Sequence, residues 1–324
     1  MAVARSWRQP PPARGPLPVT AEDVGPLNQV FSDAFTERYR RDGMVGVRVP
    51  FLNPAIWRYA IMDAGDGAML WRGERDEIVA FNIAHRSGTE GWMGPLAVRP
   101  DLQGAGLGKD VVRVGVEWLK QDGATVIGLE TMPRTMDNIG FYSRLGFVPG
   151  KLTLTLTLDS SANEKVPQLL GRLSPAARDD AIAECALLAA SCMPGYDFTR
   201  EILLTHELGL GDTVLVRHGD ALVGFALCHT APLVEGRVRE ELRVLKLAVP
   251  DLQHLDMLLR ALTDFARRSA CARAAFRVQG DYPVLYSKLV SWRARVRWTD
   301  LRMTVSGYGE APVERGVLLS NWEI

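Results

Sequence analysis

The chain has 324 residues, 47% of them hydrophobic and 23% charged, with 38 basic residues balanced by 38 acidic ones. That length fits two ordinary domains with proper cores. The neutral balance gives no support to nucleic acid or an anionic membrane surface as a partner. No apolar run approaches the roughly 18 residues of a membrane span.

Residues 1–18 (MAVARSWRQPPPARGPLP) are basic and proline-rich without a continuous apolar stretch, and read as a flexible leader. The segment EDVGPLNQVFSDAFTERYRR is helical in pattern. GAMLWRGERDEIVAFNIAH reads as two strands meeting at a polar turn, and GWMGPLAV as a further strand. Next, GKDVVRVGVEWLKQDG places Val111, Val112, Val114, Trp118 and Leu119 on one apolar face, and Asp122-Gly123 stops that helix. TVIGLETM is a strand, a short helix covers Tyr142, and a last strand pair is expected.

The same order then returns. PAARDDAIAECALLAASC is helical, TVLVRHGDALVGFALCH is a strand pair and LRVLKLAV a strand. LQHLDMLLRALTDFARRS is a helix, AAFRV a strand, and a helix follows over Tyr286. The repetition is also literal. DEIVAFNIAH at 76–85 matches DALVGFALCH at 220–229, LAVRPDLQ at 96–103 matches LAVPDLQ at 247–253, and FYSRL at 141–145 matches LYSKL at 285–289. Two homologous domains are expected: 19–160 and 175–308, joined by a linker at 161–174 and followed by a docked tail at 309–324. Strands and helices alternating around a mixed sheet put both in the α/β (α+β) class.

The four cysteines, Cys185, Cys192, Cys228 and Cys271, show no metal-ligand spacing. They read as buried thiols of a cytoplasmic protein without a metal.

The stretch RPDLQGAGLGKD carries Gly104, Gly106 and Gly108 between a strand and a helix. Such a loop offers free N–H groups and the positive end of a helix dipole, which suits a phosphate or pyrophosphate. A G-x-G-x-x-G fingerprint would need glycine at 109, where Lys109 stands. A P-loop ending at Lys109 would need glycine at 103 and Ser/Thr at 110, where Gln103 and Asp110 stand. The spacing that fits is Q-x-x-G-x-G, from Gln103, Gly106 and Gly108. It resembles the acetyl-CoA loop of the GCN5-related N-acetyltransferase (GNAT) superfamily. NIGFYSRLGF at 138–147 resembles that superfamily's N-x-x-x-[FY]-Y-x-x-x-G-F segment, and GPLAV and GLETMP stand where it has strands.

The resemblance implies two tandem domains, each a mixed, mostly antiparallel twisted sheet flanked by helices. It implies acetyl-CoA as cosubstrate, with pyrophosphate bound over Gln103, Gly104, Ala105, Gly106, Leu107, Gly108 and Lys109. Leu96, Ala97 and Val98 would pair with the pantetheine arm, Asn138 would hydrogen-bond it, and Tyr142 would protonate the leaving thiolate. Candidates for the base that deprotonates the acceptor are Glu130 and Glu90. His85 is weaker, because His229 repeats it in the second half.

The second half keeps the frame but replaces the glycines by DLQHLDMLLRAL, adding Asp256 where a pyrophosphate would lie, and VSW replaces the Gly146-Phe147 pair. It is expected to be a degenerate domain that does not bind CoA productively, with Tyr286 as packing. Two readings follow. One is an N-acetyltransferase acting on a small-molecule or peptide amine by direct attack in a ternary complex. The other is a non-catalytic acyl-CoA-binding sensor. The sequence leaves monomer and homodimer both open.

Overall fold

The computed structural model describes residues 12–313 and 315–322. In the first half come β1 (Arg14–Pro18), α1 (Val24–Arg41), α2 (Pro54–Ala64), β2 (Ala68–Arg72), β3 (Ile78–Ser87) and β4 (Glu90–Val98). They are followed by α3 (Leu107–Gln121), β5 (Val126–Thr131), α4 (Met136–Ser143) and β6 (Phe147–Asp159). The second half begins with β7 (Gln168–Leu169), α5 (Pro175–Cys192), α6 (Thr199–Glu207), β8 (Gly211–His218), β9 (Ala221–His229) and β10 (Glu241–Val249). It ends with α7 (Leu255–Arg268), β11 (Arg273–Gln279), α8 (Pro283–Ser291), β12 (Arg295–Val305) and β13 (Val317–Ser320).

Local chemistry sets several of these boundaries. Ser174 caps α5 by accepting from the Ala177 N–H, with Pro175 in the first turn. Asn53 and Pro54 open α2 in the same way. Gly123, at φ +90°, turns the chain out of α3 as Asp122-Gly123 foretold.

The strands form one sheet in the order β1-β2-β3-β4-β5-β12-β6-β11-β10-β9-β8-β7, with β13 added beside β10. Among the described residues the expected last strand pair does not form within either half. Each half supplies one long strand, and the two pair with each other across the seam. β12 is antiparallel to β5 (Leu301 opposite Thr131) and to β6 (Val305 opposite Phe147), while β6 is also antiparallel to β11 (Leu156 opposite Phe276). The first half's β5 is therefore flanked by a strand of the second half, and the second half's β11 by a strand of the first.

A continuous apolar core runs under α1, α2, α5 and α6, including Phe31, Trp57, Phe81, Phe198, Phe225 and Trp322. On the other face α3 and α4 cover the first half (Val112, Leu119, Leu129, Tyr142), and α7 and α8 the second (Leu258, Leu262, Phe276, Leu285).

Two segments are more ordered than their sequence suggests. Arg14–Pro18, expected to belong to a flexible leader, is strand β1 paired with β2; the rest of that leader, residues 1–11, lies outside the described residues. The linker carries β7, with Leu169 and Leu170 buried.

The exchange makes a prediction about divided chains. Cut in the loop at 160–167 and co-expressed, the two pieces should co-purify as one complex. Each alone should lack a cooperative melt, because β5 or β11 loses its neighbour. A first piece that melts cooperatively by itself in circular dichroism would contradict the exchange.

Candidate active site

β4 and β5 run parallel and pair only at their beginnings, from Glu90 opposite Val126 to Met93 opposite Leu129. Beyond that point they diverge. β4 continues to Val98, held on its far side by β3 with Leu96 opposite Asn82 and Ala97 opposite Phe81. Toward β5 the backbone of Leu96, Ala97 and Val98 has no strand partner. The result is a fork whose one wall carries free peptide groups, which must find a partner if water is excluded.

The glycine loop closes the end of this fork. Gly104 (φ +84°) and Gly106 (φ +106°) lie in the left-handed region, with open space where a side chain would stand. Gly106 is the residue before α3, and no side chain caps that helix. The N–H groups of Leu107 and Gly108 and the helix dipole are available to an anion, while the Lys109 N–H donates to the Gly106 carbonyl at 2.9 Å. Gln103 donates from its side-chain amide to the Val98 carbonyl at 2.9 Å, tying the loop to the end of β4. That side chain is engaged within the loop, and the Gln103 backbone N–H donates to the Pro100 carbonyl at 3.4 Å. Gly108 is helical and needs no left-handed freedom. A Cβ there would lie 3.5 Å from the Phe141 ring, in ordinary contact with α4.

The next residue along α4 is Tyr142, only 8% exposed, packed on Phe147 and Phe141 with ring centroids 5.8 and 5.2 Å away. Burial pushes its phenol up to about 12, so it keeps its proton at neutral pH. Asn138, one turn earlier, donates to the Thr131 hydroxyl at the end of β5, at 3.4 Å. The start of α4 is tied to the end of α1: Thr135 donates to the Asp42 carboxylate at 2.7 Å, and Arg134 to the Asp42 carbonyl at 2.6 Å.

The two carboxylates proposed as bases sit elsewhere. Glu130 is buried and paired with Arg302 at 2.9 Å and with Arg277, while the Thr153 hydroxyl donates to it at 2.6 Å. Burial alone would raise its pKa, but the two guanidiniums hold it down to about 2. Glu90 has no exposed surface. It accepts from the Ser320 hydroxyl at 2.5 Å and the Trp322 indole at 2.7 Å, with the Lys246 ammonium 3.8 Å away. Neither carboxylate is free to accept a proton from an incoming amine, and both fit structural ion-pair roles better. His85 is buried too, stacked on Trp92 and bonded to Asp63 at 2.6 Å.

Arg277, Asp300 and Arg302 were not singled out from the sequence. Arg277 and Arg302 reach Glu130, and Asp300 reaches Arg277 at 3.0 Å, only because β12 and β11 lie where they do, and no local spacing signals that. Lys246 likewise stands between Glu90 and Glu201, 3.8 Å from each. Glu201 is pushed up to about 7, first by burial and then by the nearby Asp63.

In the second half the glycine loop has no equivalent. α7 begins at Leu255 after an ordinary right-handed His254, and Asp256 in its first turn pairs with Lys288 at 2.8 Å. Among the described residues no His/Cys/Asp/Glu cluster of metal-binding kind occurs, and no helix is long and apolar enough to cross a membrane.

The fork of β4 and β5 and the glycine loop both fall within residues 30–147. Residues 30–147 match the model of the acetyltransferase (GNAT) family, so the chain carries a GNAT domain in its first half. No curated protein matches the chain in sequence. Its fold is similar over 98% of its length to a putative acetyltransferase from Pyrococcus horikoshii (14% identity, 95% of that chain, TM-score 0.67). It is also similar to a tandem GNAT protein from the clavulanic acid biosynthesis pathway (13% identity, 91% of this chain and 99% of that one, TM-score 0.59). A GCN5-related N-acetyltransferase from Sphaerobacter thermophilus shares the fold as well (15% identity, 90% and 94% covered, TM-score 0.57). The protein is a tandem chain of GNAT fold.

The Glu130 cluster yields a test of its structural role. Glu130→Gln leaves two buried guanidiniums short of a carboxylate and should cost about 3–5 kcal/mol in denaturant unfolding. The sign with pH follows from the lowered pKa: the stabilisation is complete above the ordinary value of 4.5 and fades as pH falls toward about 2. The variant's stability should therefore vary less with pH across that window, and equal slopes for the two proteins would refute the assignment.

Proposed function

We propose that the first half is an acetyl-CoA-dependent N-acetyltransferase whose acceptor is a primary amine of a small molecule or peptide. One observation supports this above the others. The wall of β4 without a strand partner (Leu96–Val98), the bare end of α3 with its open glycines, and a buried Tyr142 that shares a core with Met93 of β4 and Leu129 of β5 support this reading together.

The residues present fit acetyl-CoA. The N–H groups between Gly104 and Gly108 would form an anion cradle for a pyrophosphate. The peptide groups of Leu96–Val98 that face the fork, apart from the Val98 carbonyl held by Gln103, would suit an extended amide-bearing arm in place of a strand. Bound acetyl-CoA would supply a thioester at the mouth of the fork. An N–H of β4 would polarise its carbonyl, in the way oxyanion donors accelerate acyl transfer.

The amine nitrogen would form the new C–N bond as the C–S bond breaks, with the Tyr142 phenol giving its proton to the departing sulfur. Because Glu90 and Glu130 are engaged in ion pairs, the amine's surplus proton would leave to water. Asn138, which donates to the Thr131 hydroxyl at the end of β5, would bond the arm.

Tyr142→Phe should keep acetyl-CoA affinity and lower turnover by roughly 10²–10⁴. Steady-state kinetics with an accepted amine, set beside an isothermal titration, measure both, and unchanged turnover would remove Tyr142 from the mechanism. Gly106→Val should abolish acetyl-CoA binding, because it puts a branched residue at φ +106° in the cradle. Undiminished affinity would refute the cradle. Tight binding by the native chain without turnover of any amine would favour a non-catalytic acyl-CoA-binding module.

A further inference from the structure

The second half has the same fork, and it is filled. β10 and β11 run parallel and pair only from Glu241 opposite Arg273 to Arg243 opposite Ala275. Past that point β10 continues alone to Val249. Its residues Leu247, Ala248 and Val249 repeat Leu96, Ala97 and Val98 of the first half. Here the free wall is taken by β13, antiparallel, with Val317 opposite Val249, Leu318 opposite Ala248, Leu319 opposite Leu247 and Ser320 opposite Lys246. The peptide groups of β13 satisfy donors and acceptors that would otherwise be orphaned in a buried fork.

Past β13 the tail leaves the second half and reaches the base of the first half's fork. The Ser320 hydroxyl takes a hydrogen bond from Lys246 at 2.7 Å and gives one to Glu90 at 2.5 Å. The Trp322 indole donates to the other oxygen of Glu90 at 2.7 Å. Its ring lies so close to Gly128 of β5 that a Cβ there would come within 2.4 Å of it, while its carbonyl faces Gly94 of β4. Arg302 covers the ring with its guanidinium carbon 3.8 Å from the centroid, and donates to the Ser320 carbonyl at 2.7 Å. Glu90 and Gly128 belong to the paired base of β4 and β5, and Gly94 is the first β4 residue beyond it.

We infer that the second half's fork has become a strand-receiving groove whose resident occupant is the chain's own β13, and that the same tail, through Ser320 and Trp322, is a positioning element for the fork of the first half. The positioning part rests on the acetyltransferase reading given above; the occupancy part does not.

Full-length protein tests both parts. In hydrogen exchange, amides 246–249 should be slow in the free protein and unchanged by saturating acetyl-CoA, which should slow exchange at 96–98, and calorimetry should count one site per chain. Leu319→Pro, in the middle of β13, should speed exchange at 246–249 at least tenfold. Ser320→Ala and Trp322→Phe are milder changes to the tail. Either should leave acetyl-CoA affinity within about twofold and lower kcat roughly tenfold, read well below the melting temperature.

Two acetyl-CoA sites, or slowing at 246–249 on adding acetyl-CoA, would overturn the occupancy. Variants that melt earlier but keep the native kcat would overturn the positioning role, since a purely structural contact gives that result. A native chain without acetyl-CoA binding would overturn the acetyltransferase reading and the positioning role together. The occupancy would still be decided by exchange at 246–249 in native protein and Leu319→Pro.

Discussion

A buried carboxylate needs its countercharges at hand, and for Glu130 those charges come from the other half of the chain. Arg277 lies on β11 and Arg302 on β12, and they reach β5 because β12 is inserted between β5 and β6. Taking either guanidinium away would leave a charge in a low-dielectric interior, where the penalty is far larger than at a surface. The exchanged strands and the ion-pair cluster therefore hold each other in place. The fork at β4 and β5, with the loop, Tyr142 and Asn138 arranged around it, depends on a β5 fixed from its far side.

This arrangement also separates two uses of acidic residues. A base for an ammonium must meet the acceptor with an available lone pair and a pKa near the working pH. Glu130 and Glu90 are the conspicuous acids on the strands that bound the fork, yet both point into the shared core and have taken up several partners each. Tyr142 is the opposite case. Its surroundings are apolar, and burial only raises the pKa of a phenol that is already in the form that can donate.

Much of this was legible in the sequence. The duplicated stretches fixed the order of elements because each repeats both a hydrophobic period and a turn. Ser174-Pro175 and Asp122-Gly123 marked helix ends by backbone chemistry that works locally. The spacing of Gln103, Gly106 and Gly108 pointed to the loop for the same reason: left-handed geometry is demanded at particular positions. What stayed hidden is non-local. Nothing in FVPGKLTLTLTLD or RVRWTDLRMTV says that the two strands pair with each other rather than within their own halves. Glu90 reads as a candidate base until Ser320 and Trp322, more than two hundred residues later, are placed on it. Proline-rich RGPLP lacks the alternation that marks a strand, and becomes one only because the edge of β2 is there to pair with.

The ends of the sheet carry a last consequence. A run of thirteen strands offers two open margins, and an unprotected margin is a template on which a second chain can add. Here the last strand on one side is β1, with Pro16 and Pro18 among its five residues, and on the other β7, only two residues long. Proline gives no N–H to a newcomer, and two residues give it almost nothing to register against. So large a sheet, built by joining two smaller ones at their centres, ends on both sides in strands poorly suited to being extended. That protects a duplicated chain against growing into a fibre.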